Sequence, residues 1–191
     1  MKDKRIRKSN KGKGSGYTTK KLTVCALLAA LGVVIMYLGS LIDVFDVLDI
    51  SMAVIASLLC VIAVIEYGKG APWMIFLVTA ILSFLLLPNK SPAYFYAVFF
   101  GFYPILKEKF EKRSRVVSWI LKEITFNVCL AAMVVLIVFL LLDPTKSNLI
   151  NPLTISIAVV LAEAVFIVYD IALTGLISFY IFNLRKRLKI K

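Results

Sequence analysis

Histidine is absent from the 191 residues of this chain. Histidine is the commonest metal ligand and the commonest general base in proteins, so its absence removes both roles. Cysteine is scarce: Cys25, Cys60 and Cys129 all fall inside apolar runs, at spacings that match no metal or redox motif. We interpret them as small residues of a packed core. We therefore expect no metal site and no cofactor.

The common signatures of catalysis and of nucleotide binding are also missing. The sequence contains no histidine to activate a serine and no pair of adjacent glutamates, so we expect no catalytic residue. The basic, glycine-rich segment 11–16 lacks the spacing of a phosphate-binding loop, and no strand precedes it. The net charge of +12 could indicate nucleic acid, but no basic face alternates with exposed aromatics, so we expect none to bind.

Charge is rare within the long apolar runs. Apolar residues make up 61% of the chain and charged residues 18%, whereas a soluble domain is usually about half apolar. Residues 22–42 contain no charged residue, and about 20 apolar residues suffice to cross a bilayer as a helix. Lys20 and Lys21 precede this run, and three aspartates follow it. The first crossing is thus predicted to start in the cytoplasm.

The pattern of apolar runs predicts an all-α, polytopic protein of the cell membrane with six transmembrane helices. The predicted spans are 22–42, 50–67, 72–87, 93–106, 119–142 and 153–183. Residues 1–21 are predicted to form a disordered basic tail, 22–184 the membrane domain, and 185–191 a second basic tail. Both tails are expected to contact anionic lipids. Pro104 is expected to bend or end the fourth span, and 107–118 to form a helix along the inner surface.

The distribution of basic residues sets the predicted orientation. With six spans, 21 of the 23 lysines and arginines fall on one side. Only Lys90 and Lys146 lie on the other. Basic residues collect on the cytoplasmic side, so both termini are predicted to be cytoplasmic.

A charged side chain within a membrane span is energetically costly, so an ionisable residue there indicates a structural or functional role. Glu163 and Asp170 are seven residues apart in the sixth span, so they share one helix face. Asn127 is predicted to lie at a depth similar to that of Asp170, and together they predict an internal polar network. In that interpretation Asp170 pairs with Lys122 or Lys107. No basic residue in a neighbouring span matches the depth of Glu163, which favours a functional role for it.

Aromatic residues crowd the fourth span. In most spans such residues pack internally or form an interfacial belt. Tyr94 and Tyr96, however, follow the predicted outer turn that holds Asn89 and Lys90. An aromatic pocket with one cation and an amide suits a small organic ligand.

Ala26 and Ala30 form a small-residue face on the first span, four residues apart. In lipid, small residues let another helix approach closely. The spacing alone leaves open whether that helix belongs to this chain or to a partner.

The chain resembles the S components of energy-coupling-factor (ECF) transporters. The resemblance rests on six spans in about 190 residues, on the basic start and on Lys-Leu-Thr-Val-Cys-Ala-Leu-Leu-Ala-Ala-Leu-Gly in the first span. Such a subunit binds a vitamin or similar micronutrient from outside. Its Ala-x-x-x-Ala motif, matched here by Ala26 and Ala30, contacts a transmembrane T protein that two cytoplasmic ATPases drive. Members for cobalt and nickel use an N-terminal histidine, so that branch is disfavoured.

The resemblance implies a non-enzymatic, substrate-binding subunit of an importer. The candidate substrate contacts are Glu163, Lys90, Asn89, Tyr94 and Tyr96. Two other classes compete with this hypothesis. The first is a membrane scaffold for cell-envelope or cell-shape assembly, similar to the small rod-shape-determining proteins, which needs no pocket. The second is an intramembrane enzyme, which the missing histidine disfavours.

Overall fold

The chain is built from seven α-helices in the described residues. The structure, a computed structural model, describes residues 2–41, 46–68, 70–141 and 152–184, with side chains described for 19–41, 48–68, 70–136 and 156–183. No strand occurs among them, which confirms the all-α prediction for this part of the chain. The helices are α1 (Lys2–Leu41), α2 (Asp46–Tyr67), α3 (Ala71–Leu86), α4 (Ser91–Phe95), α5 (Tyr103–Phe110), α6 (Arg115–Leu141) and α7 (Pro152–Phe179).

Four helices are long and apolar enough to cross a membrane. Their candidate spans are Thr19–Leu41, Leu48–Tyr67, Arg115–Leu136 and Ser156–Asn183. Helix α3, at 16 residues, is apolar but shorter. The predicted tail 185–191 and the outer loop around Lys146 lie outside the described residues.

Helix α1 begins much earlier than the sequence predicts. It includes the basic leader up to residue 21, for which disorder is expected, and runs without interruption from Lys2 to Leu41. Lysine and arginine are good helix formers. A helix that is already nucleated by a long apolar segment also extends at little cost per residue. These two effects outweigh the three glycines of the leader.

Contacts divide the chain into two units, residues 1–125 and 126–191. In the first unit, α1 packs on both α2 and α3. Cys25 and Ala29 of α1 join Ala63, Ala71 and Ile75 in a buried cluster. Small side chains let the helix backbones approach closely. The resulting van der Waals contacts can hold helices together in lipid, where the hydrophobic effect does not drive their association. The three cysteines are free and buried, so the prediction that they are small core residues is confirmed.

The predicted fourth span is a broken helix. After α4, residues Tyr96–Phe100 form a π-helical segment, and residues 101 and 102 form a turn. Gly101 lies so close to Phe76 that a Cβ there would be 2.6 Å from its ring. Pro104 lies in the first turn of α5, where its missing N–H costs nothing. It therefore lies at the start of α5, and the predicted bend or end of the fourth span falls at residues 101 and 102, directly before this proline.

The predicted surface helix 107–118 is also interrupted. Helix α5 ends at Phe110, residues 111–114 form a turn, and α6 begins at Arg115. In the second unit, the rings of Phe126 and Phe166 stack at 4.4 Å between centroids and join α6 to α7. A π-helical segment, Tyr180–Leu184, follows α7.

Candidate functional site

The small-residue face of α1 is exposed. Ala26 and Ala30 are both accessible, whereas Cys25 and Ala29, each one residue earlier, are 5% and 2% exposed. Helix α1 therefore packs against α2 and α3 with the face that carries Cys25 and Ala29, and Ala26 and Ala30 lie beside that face. Within the first unit, the two alanines thus stay outside the buried contact of α1 with α2 and α3.

Large apolar side chains border this face. Leu27 is 69% exposed and Leu31 is 46% exposed. The two alanines thus form a shallow, smooth strip beside protruding leucines. A strip of this shape can receive a second helix at short axial distance.

The turn between α3 and α4 is fixed to the start of α2 by one polar side chain. Asn89 donates a hydrogen bond of 2.8 Å from Nδ2 to Oδ2 of Asp49, and its Oδ1 accepts the backbone N–H of Ser91 at 3.0 Å. Asp49 is only 5% exposed. A buried carboxylate requires such donors. Asn89, predicted as a substrate contact, therefore has a structural role in this turn.

Lys90 lies in the same turn and faces the end of α3. Its Nζ donates a hydrogen bond to the backbone carbonyl of Leu87, the C-cap residue of α3. Unpaired carbonyls and the helix dipole make a helix C-terminus a favourable place for a cation. Tyr94 is half-buried, and its ring packs edge-on against Phe84 at 5.1 Å. Asn89, Lys90 and Tyr94 are thus brought together around one turn.

Tyr96 lies in the interior of the first unit. Its exposure is 0%, and its ring is 6.1 Å from that of Phe76. Phe76 also contacts Trp73 and Phe102 edge-on. Trp73, Tyr96 and Phe102 therefore form a packed cluster around Phe76. Tyr96 belongs to that cluster.

Glu163 and Asp170 lie on the less exposed face of α7, as their spacing predicts. Asp170 is 3% exposed and Glu163 is half-buried, with the buried Phe166 between them. Asn127 is exposed on α6 beside the buried Phe126. The network that the sequence predicts between Asp170 and Asn127 remains a prediction.

Glu163 has an exceptional carboxylate. Its Oε2 atom is buried and accepts no hydrogen bond from any residue in the described part of the chain. The residue lies 11 positions after Pro152, the first residue of α7, or about 16 Å along the helix axis. A carboxylate oxygen in that position needs a donor or a cation.

A buried charge cluster near the start of α6 was missed by the sequence reasoning. Lys107 and Lys122 are 0% and 5% exposed, and each places its Nζ 3.1 Å from the same Oε1 of Glu111. Both lysines were considered only as partners for Asp170. The spacing of Lys107 and Glu111, four residues apart, is the signal that could have indicated this pair.

Two buried hydroxyls on α3 were also missed. Thr79 and Ser83 are 1% and 0% exposed. Neither hydroxyl has a hydrogen-bond partner among the described residues. Thr79 packs toward α1, where a Cβ on Gly32 would lie 3.3 Å from its methyl carbon. Two hydroxyl residues four apart in an otherwise apolar helix are the signal that could have placed a polar stripe here.

The described residues hold no group of three or more histidine, cysteine, aspartate or glutamate side chains that could bind a metal. Neither protein-family models, nor curated proteins, nor solved structures gave a match to this chain.

Proposed function

We propose that this chain is the substrate-binding membrane subunit of an ECF-type importer. In this role it captures a vitamin-like micronutrient from outside the cell. It then docks on a transmembrane T protein driven by two separate ATPases, and it carries out no chemical step itself. The chain has no nucleotide-binding loop of its own in the printed sequence, so the energy for transport comes from these partners.

The proposal includes six spans in the cell membrane with both termini in the cytoplasm. The four long apolar helices supply four of these spans. The apolar helix α3 and the broken segment from α4 to α5 supply the other two, both shorter than an ordinary span. The concentration of 21 of 23 basic residues on one side supports the orientation.

The exposure of Ala26 and Ala30 is the observation that carries the proposal. These residues match the Ala-x-x-x-Ala motif of the S components, and they remain exposed beside the face of α1 that packs on α2 and α3. A contact with α2 or α3 would need them buried. A docking helix of a T protein instead needs them accessible and free of bulk.

Glu163 is the foremost candidate for substrate contact, because its buried Oε2 atom has no partner in the described residues. Asn89, Lys90 and Tyr94, which lie around one turn of the first unit, are further candidates for substrate contact. Tyr96, in the aromatic cluster of the same unit, is the last candidate.

Substituting both alanines tests the docking role. In Ala26→Leu/Ala30→Leu, two leucine side chains would hold a partner helix away, and we expect co-purification with a co-expressed T protein and its ATPases to fall at least about tenfold. The measurement is the amount of T protein recovered on the tagged chain.

The matched control is Ala131→Leu/Ala132→Leu, at two exposed positions of α6. We expect it to retain the T protein at the level of the unmodified chain. Normal recovery with the α1 double variant would contradict the proposal.

A further inference from the structure

Two arginines at the turn between α5 and α6 carry charge that the described part of the chain does not neutralise. Arg113 lies in the turn and Arg115 is the first residue of α6, and both are exposed. Residues 107–115 contain five basic and two acidic residues, a net charge of +3. Both carboxylates of this segment are bound to lysines, and neither guanidinium forms a salt bridge with a described residue. The turn therefore presents positive charge to its surroundings.

The buried lysine cluster anchors this turn. Glu111 is the first residue of the turn, and its carboxylate lies 3.1 Å from the ammonium groups of Lys107, on α5, and Lys122, on α6. Both lysines are almost fully buried, so the ends of the two helices are tied at one point. The arginines on either side of Ser114 are thus carried by an anchored segment, which lowers the entropy lost when they bind an anion.

Exposed apolar side chains begin directly after these arginines. Val116, Trp119 and Ile120 are 69%, 42% and 52% exposed, and they lie in the candidate span Arg115–Leu136. The ammonium of Lys122 lies 5.5 Å from the centre of the Trp119 ring, which favours this position of the ring. Tryptophan is enriched where a membrane meets water. The start of α6 therefore has the composition of a lipid interface.

The spacing of these residues matches the thickness of a lipid headgroup layer. Trp119 lies four residues after Arg115, or about 6 Å along the helix axis. The polar layer on each side of the hydrocarbon core is about 5–7 Å thick. When the Trp119 ring lies at the edge of the hydrocarbon core, the guanidinium of Arg115 lies at the depth of the phosphates. Arginine binds a phosphate group through two parallel hydrogen bonds.

We propose that the turn between α5 and α6 binds the phosphate group of an anionic phospholipid, with Arg113 and Arg115 as its contacts and Trp119 beside its acyl chains. A soluble acidic partner would satisfy the arginines but would not cover the apolar side chains that follow them. The site is separate from the two basic tails. It requires only that α6 spans a membrane, so it does not depend on which molecule the chain transports.

Trp119 supplies the signal for the test, because the chain has two tryptophans and Trp73→Phe leaves one. The full-length Trp73→Phe chain is reconstituted into mixed vesicles of phosphatidylglycerol and phosphatidylcholine, and bromine is placed on the acyl chains of one lipid or the other. Bromine quenches a tryptophan that it contacts, so the quenching reports which lipid lies beside Trp119. We expect phosphatidylglycerol there at no less than about threefold its share of the vesicle. This enrichment should fall at about 1 M salt.

Substitutions of the arginines test whether they cause the enrichment. Arg113→Gln/Arg115→Gln should abolish it, because each basic residue near the surface strengthens the binding of anionic lipid by about fivefold. Arg113→Lys/Arg115→Lys keeps both charges and should retain most of it. Lys112→Gln is the matched control in the same turn, since Lys112 is already paired with Glu108. It should change the enrichment by less than about twofold.

Three results would overturn the proposal. The first is equal quenching by the two brominated lipids in the Trp73→Phe chain. The second is an enrichment that persists in Arg113→Gln/Arg115→Gln. The third is an equal loss in Lys112→Gln, which would show a general effect of net charge. The comparison is repeated without the Trp73→Phe substitution, and the difference between the arginine variants and the Lys112→Gln control must reappear there.

Discussion

Replacing Gly39 with leucine should destabilise the protein by about 3 kcal/mol, the upper range for overpacking a closed contact. A Cβ at Gly39 would overlap Cγ of Met52 and lie 3.1 Å from its Cβ. A rotamer change can move Cγ, but the backbone of α2 fixes Cβ, so the contact cannot be cleared by the side chain alone. Helices α1 and α2 must separate, which weakens the packing of the first unit.

The matched control is the same substitution at Gly175. Among the described residues, no atom beyond the adjoining residues and the local helix backbone lies within 4 Å of a Cβ built there. Leucine is also a better helix former than glycine by several tenths of a kcal/mol. Gly175→Leu should therefore be neutral or slightly stabilising. The measurement is the fraction of monodisperse protein that survives heating in detergent, with a fall in Tm of roughly 6–12 °C expected for Gly39→Leu alone.

Truncating the Met52 side chain tests independently whether its overlap with the new leucine causes the loss of stability. Met52→Ala in the Gly39→Leu background should restore part of the lost stability, because the two side chains compete for one space. Additive effects of the two substitutions would contradict the assigned contact.

Glu111→Gln should also lower stability, by about 2 kcal/mol. The Glu111 carboxylate is 3.1 Å from the ammonium groups of both Lys107 and Lys122, whose side chains are only 1% and 6% exposed. Removing the charge that two buried cations share is costly. The side chain of Glu111 is itself 41% exposed, and solvent screening keeps the expected loss below that of a fully buried pair.

Glu108→Gln is the corresponding control. Glu108 pairs with Lys112 at 2.5 Å with the same spacing, but the lysine side chain is 61% exposed. Exposed pairs contribute under about 1 kcal/mol, so its Tm should remain close to that of the unmodified chain. An equal fall in Tm for Glu111→Gln and Glu108→Gln would show that the buried cluster contributes no more to stability than an exposed ion pair.

Periodicity and run length predicted the long helices well. Helices α1, α2, α6 and α7 each cover most or all of a predicted span, because an uninterrupted apolar run of about 20 residues is typical of a membrane-spanning helix. The seven-residue spacing of Glu163 and Asp170 also placed both on one face of α7 correctly. These features depend on local sequence alone.

The remaining features depend on contacts between distant residues. The hydrogen bond between Asn89 and Asp49 joins positions 40 residues apart, and no local pattern indicates it. The close approach of Phe76 to Gly101 joins two different helical segments, so no local pattern around Pro104 indicates it. The spacing of Ala26 and Ala30 likewise could not decide which side of α1 would be covered.

Native mass spectrometry of the purified full-length chain tests the central claim most directly. The account predicts one small organic molecule bound at close to one per chain, released when the protein unfolds. The scaffold alternative predicts no such molecule. A chain that carries only lipid and detergent, after expression in cells grown on rich medium, would contradict the account of a substrate-binding subunit.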